Sequence, residues 1–218
     1  METLKFQKGN AKLDKSIFLF SLLAGHACPF AQDCLSKVNF KTGKLEDGPE
    51  TKFRCFSASS EVLFPTVFKA RKHNWDLLRG LRSVDAMTAL INSSLPKKAT
   101  IIRVHVSGDF FNQNYFDAWM NVARMNPDRI FYAYTKSVSY WVARLDSIPS
   151  NFSLTASKGG KNDNLIENHN LKYAEVVFTE EEAEAKGFKI DHDDSLAIYS
   201  KTSFAFITSR FTTCRERC

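Results

Sequence analysis

Apolar segments of strand length recur along this chain, with helical patterns between them. They lie at residues 16–23, 101–106, 130–134, 152–156, 174–178 and 196–199. From residue 101 onward each segment begins roughly 22 to 29 residues after the previous one. Strands that alternate with helices at this interval predict an α/β fold with a mostly parallel sheet of βα units. An incomplete (β/α) barrel is one form that such a sheet takes.

Local signals define several of the helices between these strands. Asn112 is positioned to cap a helix that ends near Pro127. Thr179 and Glu182 form a capping box for a helix over residues 179–186, which Gly187 ends. A longer helix is predicted over about residues 59–81.

Length and composition predict one soluble globular domain. The chain has 218 residues, of which 44% are hydrophobic and 25% are charged. No apolar run approaches the roughly 18 residues of a membrane span, and residues 1–5 lack the apolar region of a signal peptide. We therefore expect a cytoplasmic protein without a membrane partner. Residues 1–207 are predicted to form a single α/β domain, with a cysteine-containing loop at 24–56.

Three cysteines, Cys28, Cys34 and Cys55, fall within this loop. An odd number argues against a disulfide framework, and cytosolic thiols stay reduced. Thiolates are soft ligands that suit zinc or iron–sulfur clusters. Zinc ribbons usually have two closely spaced cysteine pairs, which this chain lacks, whereas clusters tolerate more varied spacing. The pattern favours a metal or cluster site with an open position, and buried inert cysteines are the alternative.

Polar residues follow the predicted strands at their carboxyl ends. Asp109, Lys136 and Ser157 each come directly after a strand or at its end. Parallel sheets place ligands at this edge, so we expect the three residues to lie beside the cysteines and bind a cofactor. A helix cap at Asp109 and a surface position for Lys136 are the alternatives. His26, Asp109 and His105 are candidates for a fourth ligand, although a histidine on a strand is typically a packed residue.

Two further motifs are candidate ion-binding sites, but a purely structural interpretation is simpler for each. The loop 157–160 resembles a phosphate cradle only loosely and is interpreted as a flexible connection. The acidic stretch 191–194 suits a divalent cation, but it is interpreted as a solvated turn.

The positive charge lies in the first third of the chain. Residues 1–82 hold 14 Lys and Arg against 8 Asp and Glu, whereas the remaining residues hold 16 of each. A basic region of this kind suits nucleic acid. A solvated surface is the simpler interpretation, because the basic residues do not form a continuous run.

Five short motifs together resemble one known family. They are GNAK at 9–12, AGHACP at 24–29, FRC at 53–55, RVHVSGDF at 103–110 and YTKS at 134–137. In combination they resemble the bacteriophage gene product 88 family, over roughly residues 8–205. The resemblance implies a virus-encoded protein in the host cytoplasm, with a [4Fe-4S] cluster held by Cys28, Cys34 and Cys55. A redox or radical role implies a host electron donor or a small-molecule substrate as partner.

The order of elements also resembles a reduced radical-SAM enzyme. In that superfamily a cysteine loop after the first barrel strand holds a [4Fe-4S] cluster that binds S-adenosylmethionine. Here the three-cysteine motif with spacings of three and two residues is absent, which argues against this cofactor. A radical-SAM-like enzyme is therefore one alternative, and a nucleic-acid-binding protein with a structural zinc site is another.

The tail at 208–218 departs from the pattern of the family. After the last strand, relatives continue with a segment that resembles HGSQPAGS, whereas this chain reads TSRFTTCRERC. Codons can be chosen for this stretch so that a one-base shift spells HGSQPAGS, and our hypothesis is therefore that the tail is a shifted reading frame. Cys214 and Cys218 would then be accidental, and the nucleotide sequence tests this.

Overall fold

A computed structural model describes residues 2–10 and 12–207 of the chain. The tail at 208–218, with Cys214, Cys218 and the reading-frame hypothesis, lies outside the described residues. Among the described residues, none of the helices combines the length and the apolar character needed to cross a membrane.

The centre of the fold is a seven-stranded sheet. The strands are β1 (Gln7–Lys8), β2 (Ile17–Leu19), β3 (Ser36–Val38), β4 (Leu45–Asp47), β5 (Ile101–Val104), β6 (Ile130–Thr135), β7 (Phe152–Ser157), β8 (Tyr173–Val177) and β9 (Phe204–Ile207). The sheet runs in the order β1-β2-β5-β6-β7-β8-β9, and β3 and β4 form a separate hairpin. Every neighbouring pair in the sheet is parallel except β1 with β2. The predicted α/β fold with a mostly parallel sheet is therefore confirmed.

Eight helices connect and cover these strands within the described residues. They are α1 (Phe56–Leu63), α2 (Pro65–Arg79), α3 (Val84–Ser94), α4 (Gln113–Met125), α5 (Val138–Val142), α6 (Asn164–Asn168), α7 (Glu180–Ala185) and α8 (Ser195–Tyr199). A short 3-10 turn covers Leu145–Ser147. Both predicted caps are confirmed, because the Asn112 side chain accepts the Tyr115 N–H and the Thr179 side chain accepts the Glu182 N–H.

Two predicted elements were wrong. The helix expected over residues 59–81 is two helices, α1 and α2, which break at Phe64. Pro65 is the cause, since proline suits the first helical position and keeps the preceding residue out of helical conformation. The segment 196–199 belongs to helix α8 and is not a strand. An apolar run of four residues is too short for its periodicity to distinguish a helix from a strand.

The larger hydrophobic core lies between the sheet and α3 and α4. Phe20, Phe116, Trp119 and Phe131 are fully buried there, and the Trp119 ring meets those of Phe20 and Phe131 edge to face. Burial of large aromatic side chains is among the strongest contributions to a core. This layer fixes the parallel strands, and so fixes the edge at which their carboxyl ends meet.

Candidate functional site

Cys28 lies in the loop that follows β2, and this loop is tied to the loop after β5. The Leu22 N–H donates to the Ser107 carbonyl at 2.8 Å, and the Asp109 N–H donates to the Ala27 carbonyl at 3.2 Å. The two loops approach so closely that a Cβ on Gly108 would lie 2.7 Å from the Leu22 side chain. Gly108 also has φ +81°, so glycine is needed there on both grounds. Cys28 and Asp109 are thereby held at one edge of the sheet.

Cys34 lies where the same loop reaches the end of β7. Ala31 forms an antiparallel bridge with Gly160, and the Asp33 N–H donates to the Gly159 carbonyl at 3.1 Å. These contacts hold the loop against the residues that follow Ser157. Cys34 is therefore held against the loop that follows β7, whereas Cys28 is held against the loop that follows β5.

Cys55 returns to the same edge as the residue that precedes α1. Its N–H donates to the Ser36 hydroxyl at 3.2 Å. Just before it, the Lys52 and Phe53 N–H groups both donate to the Asp33 carbonyl, at 2.8 and 3.1 Å. The segment that carries Cys55 is therefore fastened beside Cys34.

The three thiols lie close enough to influence one another. All three residues are partly buried free cysteines. Burial raises the pKa of Cys28 well above its ordinary value, with smaller contributions from Asp109, Cys55 and Cys34. Burial also raises the pKa of Cys55, and it raises the pKa of Cys34 to about 11 although Lys136 opposes the shift. All three sulfurs are therefore thiols at neutral pH unless a cation replaces their protons.

The arrangement does not enclose a single ion. Within residues 2–10 and 12–207, no group of three or more His, Cys, Asp and Glu side chains is placed to hold one metal ion. A mononuclear zinc site needs its ligands about 2.0–2.3 Å from a common centre. The ligands of a cluster bind separate iron atoms, and so they lie farther apart.

Asp109 lies buried beside the thiols. Its carboxylate accepts the Phe110 N–H, the Thr135 hydroxyl and the Lys136 N–H at 2.7, 2.6 and 2.8 Å. Burial nevertheless raises its pKa to about 6, since it outweighs these hydrogen bonds and the positive charge of Lys136. None of the three hydrogen-bond donors is a charged group. None of its hydrogen bonds therefore pairs the carboxylate directly with a cation.

Lys136 and Ser157 are partners of each other. The Lys136 ammonium group donates to the Ser157 carbonyl and hydroxyl at 2.9 and 2.8 Å, and also to the Lys158 carbonyl. The lysine is only 8% exposed, so its surface alternative does not hold. We name the set Cys28, Cys34, Cys55, Asp109, Lys136 and Ser157 the cysteine rim. The structure brings these six predicted residues to one edge of the sheet, and their binding role stays a prediction.

Two of the candidates for a fourth ligand are committed elsewhere. The His26 ring bonds the Val38 carbonyl at 2.9 Å and stacks on Phe40. His105 points into the aromatic core, where its Nε2 bonds the Tyr115 hydroxyl at 3.0 Å and burial lowers its pKa to about 3. Its backbone has φ 69°, a strained value for this residue. Asp109 is the candidate that remains beside the thiols.

The loop after β7 has no free anion cradle. The Gly159 and Gly160 N–H groups donate to the Asp163 carboxylate at 2.8 and 3.0 Å. The chain's own acid thus takes the position that a phosphate would need.

The acidic stretch 191–194 is also internally satisfied. Asp194 is fully buried and pairs with Lys12 at 3.0 Å and with Arg103 at 2.5 Å. It also accepts the Tyr132 hydroxyl at 3.0 Å. We name Asp194 with these three partners the Asp194 cluster. The solvated turn expected from sequence is found at His192 and Asp193, which are exposed. Asp194 is instead a buried ionic group, because two basic side chains neutralise its charge.

Sequence reasoning missed a buried ion pair that supports the cysteine loop. Glu61 of α1 accepts the Ala24 N–H at 2.9 Å, and its second partner is Arg71 of α2 at 3.0 Å. Burial raises the pKa of Glu61. Its position in the helix was the available signal, because Glu61 lies on the same buried face of α1 as Ser57 and Ala58.

Comparisons with known proteins place the chain in a phage family. The sequence model of the family described as Gene product 88 matches residues 3–216. The Gene 88 protein of Mycobacterium phage L5 is 36% identical in an alignment of 141 residues that covers 59% of this chain and 52% of that protein. The Gene 88 protein of Mycobacterium phage D29 is 32% identical in an alignment of 173 residues that covers 73% of this chain and 65% of that protein. The chain belongs to the Gene product 88 family.

The chain spans about half to two thirds of the length of the curated relatives it matches, and the names of those relatives state no activity. No solved structure matches the chain. The resemblance to radical-SAM enzymes therefore gains no support from a known fold.

Proposed function

We propose that this member of the Gene product 88 family binds a [4Fe-4S] cluster through Cys28, Cys34 and Cys55. The observation that carries the proposal is the convergence of three separately anchored thiols, each of which perturbs or is perturbed by another. Thiolates with irregular spacing are the ligands that iron–sulfur clusters use.

The residues present fit such a group chemically. Burial leaves three protonated thiols, so binding iron replaces three protons with positive charge and removes the cost of burying thiolates. Lys136 favours the thiolate form of Cys34. When bound, the cluster would supply one-electron redox chemistry. Three thiolates leave one iron for a non-cysteine ligand or a small molecule, and Asp109 is the carboxylate of the cysteine rim that could serve as that ligand.

A redox role is favoured over the two alternatives. A radical-SAM-like use of S-adenosylmethionine lacks the expected cysteine spacing, and a structural zinc site lacks a set of ligands around a single centre within the described residues.

Metal analysis of the full chain tests the proposal. Protein purified without oxygen is expected to contain about four iron atoms and four sulfides per chain, and little zinc. Oxygen must be excluded because the thiols are only partly buried. Cys28→Ser, Cys34→Ser and Cys55→Ser are each expected to lose most of the iron, since each removes one of three thiolates.

Cys214→Ser is the matched control, and it is expected to retain the iron. Stoichiometric zinc in the wild type would overturn the proposal. Loss of iron in Cys214→Ser would overturn the three-cysteine assignment.

A further inference from the structure

The exposed apolar side chains are concentrated beside Cys55. Among the described residues, five of the ten exposed large apolar side chains lie between residues 40 and 64. Phe56 and Leu63 of α1 are 60% and 70% exposed, and Phe64 is 55% exposed. Residues spaced seven apart share one face of a helix, so Phe56 and Leu63 both lie on the outer face of α1.

This apolar surface continues onto the hairpin formed by β3 and β4. Phe40 follows β3 and is 51% exposed, and its ring contacts that of Phe68 with a centroid distance of 6.2 Å. The Phe68 N–H donates to the Phe64 carbonyl at 3.1 Å, so Phe64 lies one helical turn before it. The α1 surface is the set Phe40, Phe56, Val62, Leu63 and Phe64.

Basic residues surround the α1 surface. Residues 36–72 hold eight Lys and Arg against four Asp and Glu, so this segment carries four of the six net positive charges. Lys37, Lys41, Lys44 and Lys69 are exposed, and no ion pair involves them within the part of the chain that the structure describes. A partner that fits this surface is therefore acidic, with an apolar contact at its centre.

The α1 surface begins where the cysteine rim ends. Cys55 is the N-cap of α1, and Phe56 is the first residue of that helix. A partner docked on Phe56 therefore lies next to the residue that carries the Cys55 thiol. Small apolar contacts surrounded by steering charges are typical of transient redox complexes.

A single-stranded nucleic acid fits this surface less well. Such ligands bind grooves in which aromatic side chains stack on successive bases. Here Val62 and Leu63 are aliphatic, and the Phe40 ring already stacks on His26 with a centroid distance of 4.3 Å.

We infer that the α1 surface docks an acidic electron-carrier protein of the ferredoxin or flavodoxin type. This inference rests on the proposed function. The reduced carrier gives one electron to the oxidised cluster, so the carrier is oxidised by one electron, the cluster is reduced by one, and no covalent bond changes.

Binding measurements on the full chain test this inference. The probes are an acidic [2Fe-2S] ferredoxin and a flavodoxin, with a basic cytochrome c as the negative probe. Phe56→Glu and Leu63→Glu are expected to weaken binding about tenfold or more, as for residues at the centre of an interface. Lys69→Glu is expected to weaken it severalfold and to reduce its dependence on salt.

The matched controls lie far from the α1 surface in the sequence. Met125→Glu replaces a side chain that is 58% exposed at the end of α4, and Lys97→Glu replaces an exposed lysine. Both are expected to bind like the wild type. Three outcomes would overturn the inference: binding unaffected by Phe56→Glu and Leu63→Glu, self-association through these residues, or tighter binding of an oligothymidylate at them.

The same experiment separates the two proposals. A protein that contains the cluster but binds neither carrier sinks only the docking inference. If the protein contains no iron but still binds the carriers through Phe56 and Leu63, the docking surface is supported and the proposed cluster is refuted.

Discussion

The Asp194 cluster and the cysteine rim are both buried groups of charged and titratable side chains, and they differ in how their charge is neutralised. In the Asp194 cluster, a fully buried carboxylate is paired with Arg103 and Lys12. In the cysteine rim, the buried Asp109 carboxylate has only uncharged donors. The Lys136 ammonium group beside it is directed to the oxygens of Ser157 and Lys158.

The difference indicates different roles. The Asp194 cluster is complete within the chain, so it stabilises the fold and has no need of a ligand. The cysteine rim combines three protonated thiols and a carboxylate with a raised pKa, and all four groups would be stabilised as anions by added positive charge. Perturbed groups collected at the carboxyl edge of a parallel sheet are typical of a functional site.

Removing the charge of Asp194 should have the largest effect on stability. Asp194→Asn leaves Arg103 without its counter-ion while asparagine still tolerates φ 66° at this position. We expect the free energy of unfolding of the metal-free protein to fall by about 3–5 kcal/mol, measured by urea denaturation. Asp193→Asn, at the exposed neighbour, is the control. Equal stability of the two variants would contradict the structural role of the Asp194 cluster.

Asp109 should have a smaller effect that depends on pH. Its pKa in the folded protein is about 6, against about 3.9 in an unfolded chain. Between these values the folded protein holds a proton that the unfolded chain has released, so this group contributes stability that is lost as the pH rises from 4 to 6. Relative to wild type, Asp109→Asn should gain on the order of 1–3 kcal/mol from pH 4 to pH 7.

His105 does not disturb this comparison. Its pKa is lowered to about 3, so it gives a slope of opposite sign, but that slope is present in both proteins and cancels in the difference. Urea denaturation of the metal-free proteins across this pH range measures the effect. Parallel curves for wild type and Asp109→Asn would mean that the carboxyl group is not perturbed.

The effect of Lys136 on Cys34 should be the smallest of the three. The ammonium group lowers the pKa of a thiol that burial raises to about 11, so Lys136→Met should raise that pKa further. Alkylation of Cys34 by iodoacetamide at pH 9 should then slow severalfold, because the thiolate is the reactive form. Lys158→Met is the matched control. An unchanged alkylation rate in Lys136→Met would mean that Lys136 does not influence the pKa of Cys34.

Local and periodic features of the fold could be predicted from the sequence. The strands that begin at Ile101, Ile130 and Phe152 are short apolar runs between helical patterns, and the caps at Asn112 and Thr179 involve residues only three apart. The common edge of a parallel sheet also predicts that Asp109, Lys136 and Ser157 lie together.

The rest depends on contacts between distant parts of the chain. The pairing of Asp194 with Arg103 joins residues 91 apart, and the bond from Ala24 to Glu61 joins residues 37 apart. Such pairs leave no periodic signal. The interpretation of His105 as a packed residue is confirmed. Its left-handed backbone conformation, just after β5, could not be predicted from the presence of a histidine alone.

The Mössbauer spectrum of the full chain, loaded with isotopically labelled iron without oxygen, tests the central claim most directly. The account predicts the signature of a [4Fe-4S] cluster, with one iron distinct from the three that bind Cys28, Cys34 and Cys55. Loss of this spectrum in Cys34→Ser and its retention in Asp194→Asn would complete the comparison between the cysteine rim and the Asp194 cluster. A spectrum of isolated iron, or one that Cys34→Ser leaves unchanged, would contradict the account.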